Sequence, residues 1–112
     1  MEIEVTEKAM EDLSELPKEV TETFLNAKKT AESNLELGAT PRMAFGKYLS
    51  GNMHPVLQET LGRDYRAWFI EGDRVNKLPD GKIFCIRILT AKEAHKIEDR
   101  STFDEVLQHA LE

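Results

Sequence analysis

The chain has 112 residues, enough for one domain with a core, and 40% of them are hydrophobic. Its net charge of −6 argues against a generic nucleic-acid binder, and no apolar run approaches the ~20 residues that span a membrane. A single cysteine, Cys85, excludes an internal disulfide framework and has no local partner for metal binding.

The charge is unevenly spread. Residues 1–37 hold ten acids and four bases, residues 38–96 ten bases and six acids, and residues 97–112 five acids and one base. Positive charge is therefore concentrated in the middle of the chain. The first residues, MEIEVTEKAM, are acidic and lack a basic, then apolar, signal pattern, so a soluble cytoplasmic protein without a membrane partner is expected.

Glu2–Thr6 alternates, with Ile3 and Val5 on one face, as a half-buried strand does. Thr6 can cap a helix over Glu7–Leu16, whose Ala9, Met10, Leu13 and Leu16 fall at helical spacing. Pro17 ends that helix or starts a second, which Val20, Phe24, Leu25 and Ala27–Ala31 carry to about Ser33. Asn34–Leu61 is punctuated by Gly38, Pro41, Gly46, Gly51 and Pro55, and a connection this long is often functional. It holds Arg42, Lys47 and His54 as candidates for one wall of a site. His54-Pro55 equally reads as a turn with a solvated histidine. Met43–Leu49 suits a helical turn or two, and Val56–Leu61 leads into the strands that follow.

Those strands are expected at Tyr65–Ile70, Arg74–Leu78 and Ile83–Leu89. Gly72-Asp73 and Pro79-Asp80-Gly81 supply the turns. Ile83–Leu89 is the most apolar run of the chain and suits a central strand covered on both faces. Alternation puts Arg66, Trp68 and Ile70 on one face of the first strand. It puts Phe84, Ile86 and Ile88 under the helical hairpin, with Ile83, Cys85, Arg87 and Leu89 opposite. Val20, Phe24 and the Phe84-Ile86-Ile88 face are the expected core. A short helix follows at Ala91–Ile97. Ser101, with Asp104 three residues on, is the expected cap of a last helix, Thr102–Leu111.

The fold class is thus α+β: an N-terminal strand, a helical hairpin, an antiparallel β-meander with the helices packed on one face, and a C-terminal helix. Residues 1–112 form one domain, with 98–112 as a helical extension.

No Walker A loop, dinucleotide-binding glycine motif, nucleophile elbow or metal-ligand cluster is present, and no cofactor or metal is expected. The remaining chemistry lies in the basic residues of the meander. Arg87 interrupts the most hydrophobic run, so it is either solvent-exposed or paired with a carboxylate such as Asp64 or Glu71. On an open face, Arg66, Arg87 and Arg74 would form a positive concavity, with Lys92 and His95 just beyond. Guanidinium groups hold phosphate bidentately and stabilise charge developing on it.

With EVTEKAMEDLSELPKEV at the start, Gly62-Arg63-Asp64-Tyr65-Arg66, Asp73-Arg74-Val75, and Ile83–Thr90 followed by Lys92 and His95, the chain resembles the RelE/ParE toxin superfamily over roughly residues 2–97. The order of strand, two helices, meander and short helix is similar to that family's. The resemblance implies a toxin of a toxin–antitoxin system, with a cognate antitoxin and ribosome-bound mRNA as partners, cleaving RNA without metal. Other branches of the family act on gyrase. Carried over by position, His95, Arg66 and Arg74 would be catalytic, with His95 as general acid or base. Arg63, Arg87 and Lys92 would hold phosphate. Three features depart from the family: the acidic balance, the absence of a terminal tyrosine near His95, and the added 34–61 connection and last helix. The alternative is a binding module that keeps the scaffold without RNase activity. In that case the basic residues are scattered or paired, and the last helix covers the sheet face. The sequence leaves the oligomeric state open.

Overall fold

A computed structural model describes residues 2–75 and 78–111. The chain folds as β1 (Glu2–Val5), α1 (Glu7–Ser14), α2 (Lys18–Glu36), α3 (Pro41–Ala44), β2 (Lys47–Tyr48), β3 (Leu57–Leu61), β4 (Tyr65–Glu71), β5 (Lys82–Thr90), α4 (Ala91–Arg100) and α5 (Phe103–Ala110). Among the described residues the strands form one sheet in the order β1-β5-β4-β3-β2. β1 runs parallel to β5 and every other pairing is antiparallel.

The first half follows local rules. Thr6 caps α1 by accepting from the Ala9 N–H at 3.2 Å. Pro17 stands at the N-cap of α2, where a missing N–H costs nothing. Thr40 caps the single turn of α3, with Pro41 at its first position. The meander is shifted relative to expectation: its outer strand is β3, and no strand forms at 74–78 among the described residues. Gly72–Arg74 is instead a 3-10 turn closed by the Val75 N–H on the Gly72 carbonyl at 3.2 Å, and residues 76 and 77 lie outside the described ones. Asp73 Oδ1 accepts from the Gly81 N–H at 2.6 Å and stitches the β4–β5 connection together.

Both faces of the sheet are covered. On one, α1 and α2 bring Ala9, Phe24, Ala31 and Leu35 onto Leu57, Ala67, Phe69, Ile83, Cys85 and Ile88. Phe24 stacks on Phe69 with centroids 6.4 Å apart. Phe24 belongs to this core as expected, whereas Val20 is only half-buried. On the other face, α4, α5 and the 49–56 loop bring Ala94, Val106, Leu107, Ala110, Leu49 and Met53 onto Trp68, Ile70, Phe84, Ile86 and Leu89.

The facing of β5 therefore differs from expectation. Phe84 and Ile86 point to α5, while Ile83 and Cys85 lie under the hairpin. The cause is a β-bulge. Trp68 pairs with Arg87 and Phe69 with Cys85, so Ile86 is an extra residue and the alternation inverts across it. Ile88 returns to the hairpin side as expected, and Leu89 to the other. With both faces apolar, hydrophobicity alone does not specify which way the strand faces.

The last two helices are each set by a capping box. Thr90 and Glu93 start α4 directly at the end of β5, and α4 runs to Arg100 rather than stopping at Ile97. α5 is capped by Thr102 with Glu105, not by Ser101 with Asp104; the Ser101 N–H instead closes the end of α4 on the Ile97 carbonyl. Glutamate wins this position because its longer side chain reaches back to the cap N–H, here at 3.2 Å.

Candidate functional site

The site is a cleft of about 310 Å³ where α4 leans over the edge of the sheet. Its floor is β4, its outer wall the β2 edge with β3, and its inner wall α4. Three contacts set the walls. The Ala91 N–H donates to the Asp64 carbonyl at 2.7 Å, pinning the start of α4 to the β3–β4 turn. Leu89 pairs with Arg66 across the ladder, so the helix begins beside that arginine. Gly46 precedes β2 against β3, where any Cβ would overlap the Gln58 carbonyl oxygen; only glycine lets β2 approach this closely.

Arg66 and His95 meet in this cleft, together with Lys47, Gln58, Ser50 and Glu98. Arg66 is half-buried. Its Nη1 donates to the Tyr65 carbonyl at 2.8 Å and the Arg63 carbonyl at 3.2 Å, which leaves the Nε and Nη2 edge of the fork uncommitted. Ala91, Ala94, His95 and Glu98 form one stripe of α4 at helical spacing, with Ala94 packed in the core and His95 exposed above it. Gln58 is fixed from below: its Oε1 accepts from the buried Trp68 Nε1 at 3.0 Å, and its amide N–H donors are left uncommitted.

The other residues expected at the site lie apart. Arg74 donates through Nε to Glu71 at 2.9 Å and through Nη2 to the Tyr48 hydroxyl at 3.3 Å, and its guanidinium sits 5.0 Å from the Tyr48 ring centroid. The Tyr48 hydroxyl donates to the same Glu71 carboxylate at 2.6 Å. Burial, and then the Glu71 carboxylate, push the Tyr48 phenol above its ordinary range. The phenol packs with the hairpin-side core and thus belongs to the sheet face away from the cleft. His54 donates from Nδ1 to the Leu49 carbonyl at 3.3 Å and lies against the Tyr48 ring, a supporting role in the same corner. Arg42 donates to the Gly46 carbonyl at 2.6 Å and steadies the approach to β2.

Arg87 is committed as well. Its partner is Asp12 of α1, not Asp64 or Glu71: Nε and Nη2 reach Oδ2 and Oδ1 at 2.8 and 3.2 Å, and both side chains are about 15% exposed or less. The same carboxylate accepts from the Ile88 N–H at 2.9 Å. Asp12 thereby occupies the edge of β5 beyond the last residue of β1. Lys92 is exposed in the first turn of α4, off the stripe that faces the cleft, and Arg63 is exposed in the β3–β4 turn. Cys85 is fully buried, and that burial pushes its thiol far above the ordinary range, so it is a core residue rather than a nucleophile.

Among the described residues no three His, Cys, Asp or Glu side chains are grouped to hold a metal ion, and no helix is long and apolar enough to cross a membrane. Glu98 was not singled out by sequence reasoning, whereas Lys47 was, as a candidate for one wall of a site, and it does line the cleft. Glu98 was legible in principle, three residues after His95, had the helix been extended past Ile97. No protein-family model and no curated protein matches the chain.

Proposed function

We propose that the chain is a RelE/ParE-type protein whose reactive site is the cleft between β4 and α4, acting on the phosphodiester backbone of single-stranded RNA. The observation that carries this reading is the convergence of Arg66 and His95, one from a strand and one from a helix, on a single polar cleft that also holds Lys47. The element order supports the scaffold: a strand, two helices, a meander and a helix, with the first strand parallel to the last. Arg66 and Lys47 supply positive charge for a phosphate, and the imidazole of His95 is a side chain that can both give and take a proton. In this reading Arg74 and Arg87 hold the scaffold together through their carboxylates, and substrate is engaged at the sheet edge.

One observation favours the second reading, a binding module without RNase activity. The sheet face opposite the hairpin is closed by α5, whose Val106, Leu107 and Ala110 are buried on it. A cognate antitoxin is the expected partner of the first reading, and a protein partner alone of the second. The test is induced expression in bacteria together with cleavage of ribosome-bound mRNA by the purified protein. Wild type is expected to arrest growth and cut RNA, and an Arg66→Ala, His95→Ala variant of unchanged melting temperature to do neither. A folded wild type that neither arrests growth nor cuts RNA would decide for the binding module. Arrest without cutting, by both proteins, would point to another target such as gyrase.

A further inference from the structure

Two helices of this protein carry opposite charge in the same pattern. On α1, Glu7 and Glu11, followed by Glu15 at the C-cap, recur every four residues, and all three are exposed. On α4, Lys92, Lys96 and Arg100 do the same. A step of four residues turns an α-helix by only about 40° beyond a full turn, so each trio forms one ridge on its helix's outward face. Like charges four residues apart cost helix stability. Within the chain that cost is offset only at Glu11, which has Lys8 at 3.7 Å and whose side chain stays 69% exposed. Glu7, Glu15 and the three cations form no ion pair among the described residues, although Asp99 shares the outward face of α4. Met10 stands beside the acidic ridge and is 52% exposed, a large apolar side chain without cover.

We propose that the chain associates with itself, α4 of one copy docking its basic ridge on the acidic α1 ridge of a second copy. This holds whether or not the cleft cuts RNA. Sign, number and pitch all match: three acids meet three bases, each set spaced by ~6 Å along its helix. An antiparallel approach sets Glu7 against Arg100, Glu11 against Lys96 and Glu15 against Lys92. It also brings the N-terminal end of α1 to the C-terminal end of α4, the favourable sense for two helix dipoles. Ridges of residues four apart interlock when the helices cross at about 50°, the commonest packing class. The methylene stems of Lys96 and Lys92 then cover Met10 while their ammonium groups stay with the carboxylates. α1 packs through Ala9 on the hairpin side of the sheet and α4 through Ala94 on the other side. The two ridges thus belong to different surfaces, and the contact is head to tail: each copy offers α4 to one neighbour and α1 to another. Copies of net charge −6 repel at a distance and exposed ion pairs are individually weak, so the association is a weak one that appears at high protein concentration.

The test is sedimentation equilibrium of the full chain over a range of concentrations. It compares wild type, a Glu11→Lys, Glu15→Lys variant, a Lys92→Glu, Lys96→Glu variant, and an equimolar mixture of the two variants. Each variant is first shown to be folded by its thermal melt. The substitutions lie at exposed positions and leave Glu7 and Arg100 in place to pair with each other. Wild type is expected to rise above the monomer mass as concentration increases. Each variant alone, now carrying two ridges of like sign, is expected to raise the dissociation constant by at least about tenfold. The mixture is expected to associate like wild type, because every reversed α1 then finds a reversed α4 and every original α4 an original α1. A wild type that stays monomeric up to about 1 mM would overturn the proposal and leave the ridges to a different partner. Association unchanged in both variants would overturn it by placing the contact elsewhere. Loss in both variants without recovery in the mixture would overturn the pairing of these two ridges.

Discussion

Tyr48 shows how a single residue can be read twice. By position in β2 it borders the cleft, but its phenol is turned to the far face, where Glu71 accepts its hydrogen bond and Arg74 lies over its ring. Burial and the Glu71 charge both disfavour the phenolate, so the folded pKa lies above the unfolded value of about 10. The contribution to stability is therefore complete below pH ~10 and is lost as pH rises through the folded pKa. Thermal melts between pH 9 and 11 are expected to show wild type losing stability on the alkaline side, while Tyr48→Phe falls less steeply. At neutral pH the variant should be less stable by about 1 kcal/mol, the net worth of a typical hydrogen bond. A variant that falls as steeply as wild type would show that another group controls the alkaline limb.

At the scale of elements, the joint between α1 and β5 is the one to test. β1 pairs with β5 only as far as Cys85, so the outer edge of β5 would be bare from Ile86 onward. Asp12 fills part of that gap from α1, taking the Ile88 N–H and gripping Arg87 with both oxygens. The bulge at Ile86 is what brings Arg87 to this position in an otherwise apolar strand. Replacing Asp12 by alanine leaves a half-buried guanidinium without its partner and a backbone donor without an acceptor. The expected loss is ~2–4 kcal/mol in a denaturant melt, toward the lower end of the range for buried pairs because this one keeps some solvent contact. Asp12→Asn keeps an acceptor for Ile88 and should lose less. A loss under about 0.5 kcal/mol for Asp12→Ala would return Arg87 to the list of residues free to bind phosphate.

The whole molecule sets its charge against its proposed ligand. Net charge is −6, with acids in excess over residues 1–37 and 97–112 and bases in excess over residues 38–96. Of the cations expected at the site, the cleft keeps Arg66 and Lys47, while Arg74 and Arg87 are neutralised by Glu71 and Asp12. Few phosphates can then be neutralised at once. Binding to single-stranded RNA should weaken with salt at a shallow slope, about −1 to −2 in log affinity against log salt, since each contact contributes roughly −0.7. Fluorescence anisotropy from 50 to 200 mM salt reads that slope. A slope steeper than about −4 would require an extended basic surface in place of a local cleft.

Much of this was legible in the amino-acid sequence. The strand–helix–helix opening follows from alternation at Ile3 and Val5, helical spacing at Ala9 and Leu13, a threonine cap and a proline, all of them signals carried by neighbouring residues. The α+β class and the two main strands follow from runs of apolar residues broken by turns. Where sequence reading departed from the structure, the missing information was tertiary. The face presented by β5 depends on one bulge residue, and both faces of the sheet are apolar, so no pattern of hydrophobicity records it. The meander starts at β3 because the β4–β5 link is drawn in by Asp73 and Gly72 rather than extended. Arg66 and His95 were identifiable as basic or titratable residues near strand ends, but only the docking of α4 on the β3–β4 turn brings them together with Lys47, adds Glu98, and leaves Arg74 and Arg87 to carboxylates on other elements. Local conformation is decided within a few residues of chain; which charges meet is decided by contacts between residues as far apart as Asp12 and Arg87.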